Sequence, residues 1–180
     1  MIQRKQKYRG FTLIEVMAVI AIISIMTAIL LVSFDGTKKQ TNLDNASRQF
    51  VTDLSFLQKS ALSGTVPPGV TGSVCGHGLH RTGSGGYEFF VIEKSEVSND
   101  CTETSYSRTY DSSRDSIYGT KVFEKGVILE NSAQDLYFEV PHAKVYYNNS
   151  IANAPYTLSL DGENLSVCVT ASGEIKEGDC

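Results

Sequence analysis

Glu15 is the residue whose setting in this sequence most directly suggests chemistry. It is the only ionisable side chain in the apolar run from Phe11 to Phe34. A carboxylate inside such a run is costly to place in a membrane and by default marks a function. It also needs a positively charged partner, because an unpaired charge away from water is strongly destabilising. We therefore expect a cation to approach Glu15, near the start of the run.

A second group of residues has the types that bind metal ions. Cys75, His77 and His80 lie within the sequence Cys-Gly-His-Gly-Leu-His, which is similar to half of a zinc site. The other half is missing unless Cys101 supplies it, so we expect no metal. The stretch 161–164, Asp-Gly-Glu-Asn, offers oxygen ligands for calcium, but a tight polar turn is the simpler interpretation.

The sequence contains no recognisable catalytic constellation. None of the three histidines, His77, His80 and His142, has a neighbouring Ser or Cys in a nucleophile setting. The glycine-rich stretch 83–86 precedes a predicted strand rather than a helix, so it is not a phosphate-binding loop. We expect neither enzymatic activity nor a cofactor.

The elements that must position Glu15 are a basic leader and a long helix. Residues 1–10 contain two Arg and two Lys and no acidic residue. As a helix, residues 11–34 span about 36 Å at ~1.5 Å per residue, enough for a hydrocarbon core of ~30 Å. We therefore predict a transmembrane helix over 11–34. The basic leader predicts that the rest of the chain faces away from the cytoplasm.

A helical pattern continues beyond the apolar run. Residues 35–63 carry apolar side chains three or four positions apart, which predicts an amphipathic continuation of the same helix. Its apolar face is expected to pack on a globular head. The stripe consists of Leu43, Ala46, Phe50, Leu54, Leu57 and Ala61. Gly64, followed by the sequence Pro67-Pro68-Gly69, is predicted to end the helix.

Residues 64–180 have the pattern of a β-rich extracytoplasmic head. Aromatic and β-branched residues predict strands at 87–92, 121–123, 127–130, 136–140, 144–147, 156–160, 165–170 and 174–176. The stretch 161–164 is the clearest hairpin signal. The loop at 98–116 is long enough to be a partner-contact surface or to be disordered. The predicted fold class is α+β, with a long N-terminal helix packed on an antiparallel β-sheet.

The sequence Gly10-Phe11-Thr12-Leu13-Ile14-Glu15 resembles the processing and methylation signature of type IV pilins and type II secretion pseudopilins. The resemblance implies cleavage by prepilin peptidase after Gly10 and N-methylation of the new amine of Phe11. That amine would supply the positive charge that Glu15 lacks, from the same subunit or, as the family implies, from a neighbour. An ordinary signal anchor is the alternative.

The same resemblance implies a set of partners. Membrane lipid surrounds the helix before assembly, an inner-membrane assembly platform then acts on the subunit, and the helices of other pilin or pseudopilin subunits pack against it. It also implies localisation in the cytoplasmic (inner) membrane, followed by a cell-surface pilus or a periplasmic pseudopilus.

The order of the helix and the strands, together with the closing stretch 167–176, is similar to the GspH/FimT-like minor pilin branch, which implies a type IV pilin-like fold. Some members of that branch bind DNA through basic residues after the glycine that matches Gly173. Here residues 174–179 are mainly acidic. Removal of the leader also takes four positive charges from a net charge of −4, leaving about −8. We therefore expect no DNA binding.

Four cysteines lie in the head, where an oxidising compartment permits disulfides. Four cysteines allow three pairings. We favour Cys75–Cys101 and Cys168–Cys180, because each pair closes a short local loop. A bridge at the C-terminus is also similar to the one in many pilins. Free thiols and metal ligation are the alternatives.

The expected function is that of a structural subunit, a minor pilin or a pseudopilin. The alternative is an adhesive or ligand-binding subunit that uses the loops at 76–86 and 98–116.

Overall fold

One long helix, α1, spans Leu13–Ser63. The structure, a computed structural model, describes residues 11–83, 85–97, 101, 106–130 and 134–180, with the backbone alone at 29–35. The chain divides into two compact units, Met1–Lys38 and Lys39–Cys180, and α1 contributes residues to both. The helix ends before Gly64, whose φ of 60° lies in the left-handed region that favours glycine.

Nine strands follow α1 in the described residues, and all of their pairings are antiparallel. They form a five-stranded sheet in the order β3-β2-β1-β5-β6 and a four-stranded sheet in the order β4-β7-β8-β9. The predicted α+β class is confirmed. The strands are β1 (Val74–Arg81), β2 (Gly86–Glu93), β3 (Ser116–Val122), β4 (Ile128–Leu129), β5 (Leu136–Glu139), β6 (Lys144–Tyr147), β7 (Ala154–Leu160), β8 (Glu163–Val169) and β9 (Ile175–Glu177), and a short 3₁₀ helix, Lys94–Val97, follows β2.

The main hydrophobic core lies between the second half of α1 and both sheets. All six residues of the predicted stripe from Leu43 to Ala61 are buried there, with side chains from the strands of both sheets. Phe50 is central, since its ring lies edge-on to those of Tyr87 and Tyr156, each with centroids 5.2 Å apart. This spacing is typical of favourable aromatic pairs. The core side of the five-stranded sheet is called its inner face below.

The opposite, outer face of the five-stranded sheet carries a second apolar cluster. Successive residues of a strand point to opposite faces, so that Phe89 of β2 joins the main core while Phe90 lies on the outer face. Phe90 packs there with Tyr137 of β5 and Tyr146 of β6, which lie beyond β1 in the same sheet. Neither α1 nor the second sheet contributes to this cluster among the described residues.

The prediction of a loop at 76–86 is wrong for residues 76–81, which belong to strand β1 at the centre of the five-stranded sheet. Its glycines, Gly76 and Gly78, made the segment look irregular. A β-carbon on Gly76 would clash with the ring of Tyr137, and one on Gly78 would clash with the ring of Phe90. Glycine is therefore needed because two aromatic rings lie directly over this strand.

The predicted hairpin at 161–164 is present, with a tighter turn than expected. Leu160 of β7 pairs directly with Glu163 of β8, so only two residues form the turn. Asp161 and Gly162 have φ values of 49° and 89°. Positive φ at both turn positions is typical of the type I′ turn that Asp-Gly favours. Strand β8 therefore begins two residues before the predicted strand at 165–170.

Candidate functional site

The N-terminal end of α1 is closed by reciprocal hydrogen bonds between Thr12 and Glu15. The backbone N–H and the hydroxyl of Thr12 each donate to Oε2 of Glu15 at 2.9 Å. In return, the backbone N–H of Glu15 donates to Oγ1 of Thr12 at 3.4 Å. This arrangement is a capping box, which gives partners to backbone donors left free in the first turn of a helix. Thr12 was not among the predicted site residues, although Thr-x-x-Glu spacing is the sequence signature of this motif.

The predicted processing site lies at the limit of the described residues. Gly10 and the basic leader are outside them. Phe11 is described, and its side chain is 87% exposed. Glu15 has no cationic partner within the described residues, where the hydrogen bonds to its carboxylate come from Thr12 alone. The pairing of Glu15 with a free amine at Phe11 stays a prediction.

The first turns of α1 present apolar side chains in every direction. The large ones from Phe11 to Met26 are between 49% and 87% exposed. Two polar side chains in this stretch are satisfied within the helix, because Ser24 donates to the carbonyl of Ile20 at 2.8 Å and Thr27 to that of Ile23 at 2.7 Å. Among the described residues, no helix combines the length and the apolar character required to cross a membrane.

The residues that resembled half of a zinc site do not converge. Cys75 is in a disulfide with Cys101. His77 and His80 are three positions apart on β1, so their side chains lie on opposite faces of the sheet. His80 is on the outer face, where its Nδ1 lies 2.7 Å from a carboxylate oxygen of Asp135. The described residues contain no cluster of three potential metal ligands.

His77 is buried on the inner face, with 1% of its surface exposed. Its Nδ1 lies 3.1 Å from the hydroxyl of Tyr118, while Nε2 has no well-formed hydrogen bond within the described residues. Burial lowers the pKa of His77 to about 4, although the nearby backbone of Thr65 opposes this shift in part. Burial likewise raises the pKa of Tyr118. His77 is therefore a neutral core residue at physiological pH.

The described part of the predicted loop at 98–116 is packed on the outer face. Residues 106–115, called the covering segment below, are held there chiefly by Arg108, which is 6% exposed. Its guanidinium lies between the rings of Tyr106 and Tyr146, 4.4 Å and 4.2 Å from their centroids. One of its nitrogens donates to Glu139 at 2.8 Å. The arrangement combines a cation–π contact with a charge-assisted hydrogen bond.

Further polar contacts fasten the covering segment along its length. The backbone N–H of Arg108 donates to the side chain of Asn149 at 2.9 Å, and that of Tyr110 donates to Asp135 at 2.7 Å. The ring of Tyr110 also lies 4.5 Å from that of His80. These contacts are specific, and they make the described part of the loop an ordered cover.

The structure contains two disulfides, with the pairing that the sequence favoured. Cys75–Cys101 joins positions 26 residues apart, and Cys168–Cys180 joins positions 12 apart. The second bridge fixes the C-terminal end to β8. The same region is tied to α1, because Gln58 donates to the carbonyl of Gly173 at 2.7 Å.

Two regions of the four-stranded sheet were considered as ligand sites: the turn at 161–164 for calcium and the stretch after Gly173 for DNA. Asp161, in the turn considered for calcium, has a carboxylate oxygen 3.2 Å from the ammonium of Lys39. In the sequence after Gly173, Lys176 stands between Glu174 and Glu177. Glu177 accepts a hydrogen bond from Ser47 at 3.0 Å. This acidic end differs from the basic surface that binding to DNA requires.

Residues 5–31 match the family model described as the prokaryotic N-terminal methylation motif. The match supports a type IV pilin-like or pseudopilin precursor that is a substrate of prepilin peptidase and assembles with other pilin subunits. Proteins with this motif are structural rather than catalytic. The head lies outside the matched residues. No curated protein and no solved structure is significantly similar to the chain.

Proposed function

We propose that this chain is a structural subunit, a minor pilin or pseudopilin, of a type IV pilus or a type II secretion pseudopilus. Its 11–34 segment spans the cytoplasmic membrane, prepilin peptidase removes residues 1–10, and the amine of Phe11 is methylated. The observation that carries the proposal is the matched methylation motif, which leads into a helix whose large apolar side chains are exposed on all sides. The GspH/FimT-like branch is the favoured relationship.

The exposed apolar surface of α1 supports storage in lipid. A helix that is apolar all round is stable only when lipid or other helices cover it. The hydroxyls of Ser24 and Thr27 bond to backbone carbonyls of the same helix, so they need no partner from outside. The basic leader keeps the N-terminus in the cytoplasm. Leader removal there precedes extraction of the helix into a filament.

The hydrogen bonding of the Glu15 carboxylate supports its proposed role in assembly. Within the described residues, the two hydrogen bonds to this carboxylate come from Thr12 and end on Oε2. Oε1 is therefore the atom that can accept a bond from a cation supplied by another molecule. The methylated amine of Phe11 in a neighbouring subunit provides such a cation at the same depth, and the pair would fix the register of adjacent helices.

The acidic head with two disulfides suits a low-copy subunit at the tip or in the priming complex. An adhesive or ligand-binding role through the head loops has no observation in its favour in the described part of the chain. Residues 74–81 form a strand, and residues 106–115 pack on the sheet.

The N-terminus of the full-length protein tests the proposal. The protein is recovered from its native membrane and from sheared filaments, and the first peptide is identified by mass spectrometry. We expect N-methylated Phe11 in both fractions. Gly10→Ala is expected to block leader removal, whereas Gly36→Ala is the matched control, because a β-carbon there meets nothing within 4 Å. An unprocessed Met1 terminus in the wild-type protein would contradict the proposal.

A separate variant tests the role of Glu15. Glu15→Gln keeps the size of the side chain and removes its charge. We expect normal leader removal, with loss of the protein from the sheared fraction. Normal incorporation of this variant would show that the charge does not set the register.

A further inference from the structure

The five-stranded sheet alone cannot shield the aromatic rings on its outer face from water. Its central strand, β1, presents glycine at positions 76 and 78 on this face, so the rings of Tyr137 and Phe90 lie over bare backbone. These rings are fully buried. Something beyond the sheet must therefore exclude water from them. In the described residues this is done by Val97 and by the covering segment.

The covering segment contributes little apolar surface of its own. Tyr106 is its one residue that belongs to the buried members of the outer cluster, with Tyr110 partly buried beside it. Its other attachments are of two kinds. The ring of Tyr110 contacts His80 and Phe90, and the guanidinium of Arg108 lies between the rings of Tyr106 and Tyr146. Polar bonds join Arg108 to Glu139 and the Tyr110 amide to Asp135. This segment therefore buries far fewer apolar side chains than the main core does.

One covalent attachment adds to these contacts. Cys75 is fully buried at the irregular start of β1, where the register with β2 shifts, and it is bonded to Cys101. Cys101 lies five residues before Tyr106. The bridge fixes Cys101 to the start of β1 and so favours the covered state.

We propose that the Cys75–Cys101 disulfide is a redox latch for the covering segment. In the oxidised head the segment is closed over the outer face. Reduction by a dithiol breaks the S–S bond, each sulfur gains a hydrogen, and the dithiol becomes a cyclic disulfide. The covering segment then opens and exposes the tyrosine-rich outer face, while α1, both sheets and the Cys168–Cys180 bridge stay in place.

The latch is a property of the head and does not depend on the proposed pilin-like function. Only the stage at which the disulfide forms, during export of the head, rests on that function. A chain whose head has not yet reached an oxidising compartment lacks the closed surface, and a chain that has been exported acquires it.

Amide hydrogen exchange on the full-length protein in detergent micelles tests the latch. The reporters are the amides of Arg108 and Tyr110, which donate to Asn149 and Asp135. Cys101→Ala opens the latch and leaves Cys75 as a buried thiol. Cys180→Ala is the matched control, because it also leaves one buried thiol, that of Cys168.

We expect exchange at both reporter amides to rise at least tenfold in Cys101→Ala and to stay unchanged in Cys180→Ala. Trypsin cleavage after Arg108 and Arg114 should rise in parallel, with the amides of β1 still protected. Wild-type protein treated with dithiothreitol under native conditions should reproduce this pattern. Unchanged protection of the reporters after reduction would overturn the latch. Loss of protection throughout β1 in both the variant and the reduced wild type would overturn it as well, because the bridge would then hold the whole sheet.

Discussion

The buried histidine of the inner face predicts a specific loss of stability in acid. His77 is neutral in the folded head, where burial lowers its pKa to about 4, while an unfolded chain titrates near the usual value of 6.5. Between these two values the unfolded state binds more protons than the folded state. The free energy of unfolding therefore falls as the pH is lowered from about 6.5 to about 4, and this contribution does not grow further below about 4.

The size of the effect follows from the difference between the two pKa values. One pKa unit corresponds to about 1.4 kcal/mol, so His77 lowers the free energy of unfolding by up to about 3 kcal/mol across this window. His77→Phe removes the titrating group and keeps an aromatic ring beside Tyr118. The hydroxyl of Tyr118 then loses its partner, at a cost of about 1–3 kcal/mol that does not vary with pH in this range.

Denaturant unfolding of the full-length protein in micelles, repeated between pH 7 and pH 4, separates the two effects. We expect His77→Phe to be less stable than wild type at pH 7 and to lose less stability on acidification. The matched control is His142→Gln, since His142 is an exposed histidine outside the core. If wild type and His77→Phe lose stability in parallel from pH 7 to pH 4, then His77 is not the buried neutral group that the structure indicates.

Three further substitutions have expected magnitudes. Phe50→Ala is expected to lower the free energy of unfolding by about 3–5 kcal/mol, because it leaves a cavity in the main core; a loss below about 1 kcal/mol in denaturant unfolding would contradict that packing. Gly78→Ala is expected to lower the free energy of unfolding by about 1–3 kcal/mol, because the new β-carbon clashes with the ring of Phe90. Adding Phe90→Leu to the same chain should recover part of this loss. If the losses of the two substitutions simply add, the clash is contradicted. Thr12→Ala should destabilise the first turn of α1 by about 1 kcal/mol, whereas Thr12→Ser should not. Amide exchange near Glu15 measures the difference. Equal exchange in the two variants would rule out the capping box.

Local sequence patterns were sufficient for the elements whose structure depends on near neighbours. The stripe from Leu43 to Ala61 repeats with the period of a helix, and all of its residues are buried. The Asp161-Gly162 pair has the backbone freedom that a two-residue hairpin turn requires, and the hairpin is present. Each of these signals lies within a few residues of the element that it specifies.

Strand β1 could not be predicted in the same way, because the residues that make its glycines favourable lie far away in the chain. Gly76 and Gly78 weaken the local preference for a strand. They are tolerated because Tyr137, about 60 residues later, and Phe90 place their rings over the strand. The covering segment is similar, since its sequence is polar and its order comes from Asp135, Glu139 and Asn149. Thr12 is a different case, because its signal, the Thr-x-x-Glu spacing, is local.

The covered outer face also bears on the choice between a structural and a ligand-binding subunit. The aromatic rings of the head that would suit a ligand, such as Phe90, Tyr137 and Tyr146, lie beneath residues 106–115 while the Cys75–Cys101 bridge is closed. In an oxidising compartment that face is therefore closed to partners. The apolar side chains of α1 between Phe11 and Met26 are exposed instead, and they are the surface that most needs a partner. The distribution of apolar surface thus favours helix-mediated assembly over ligand binding by the outer face.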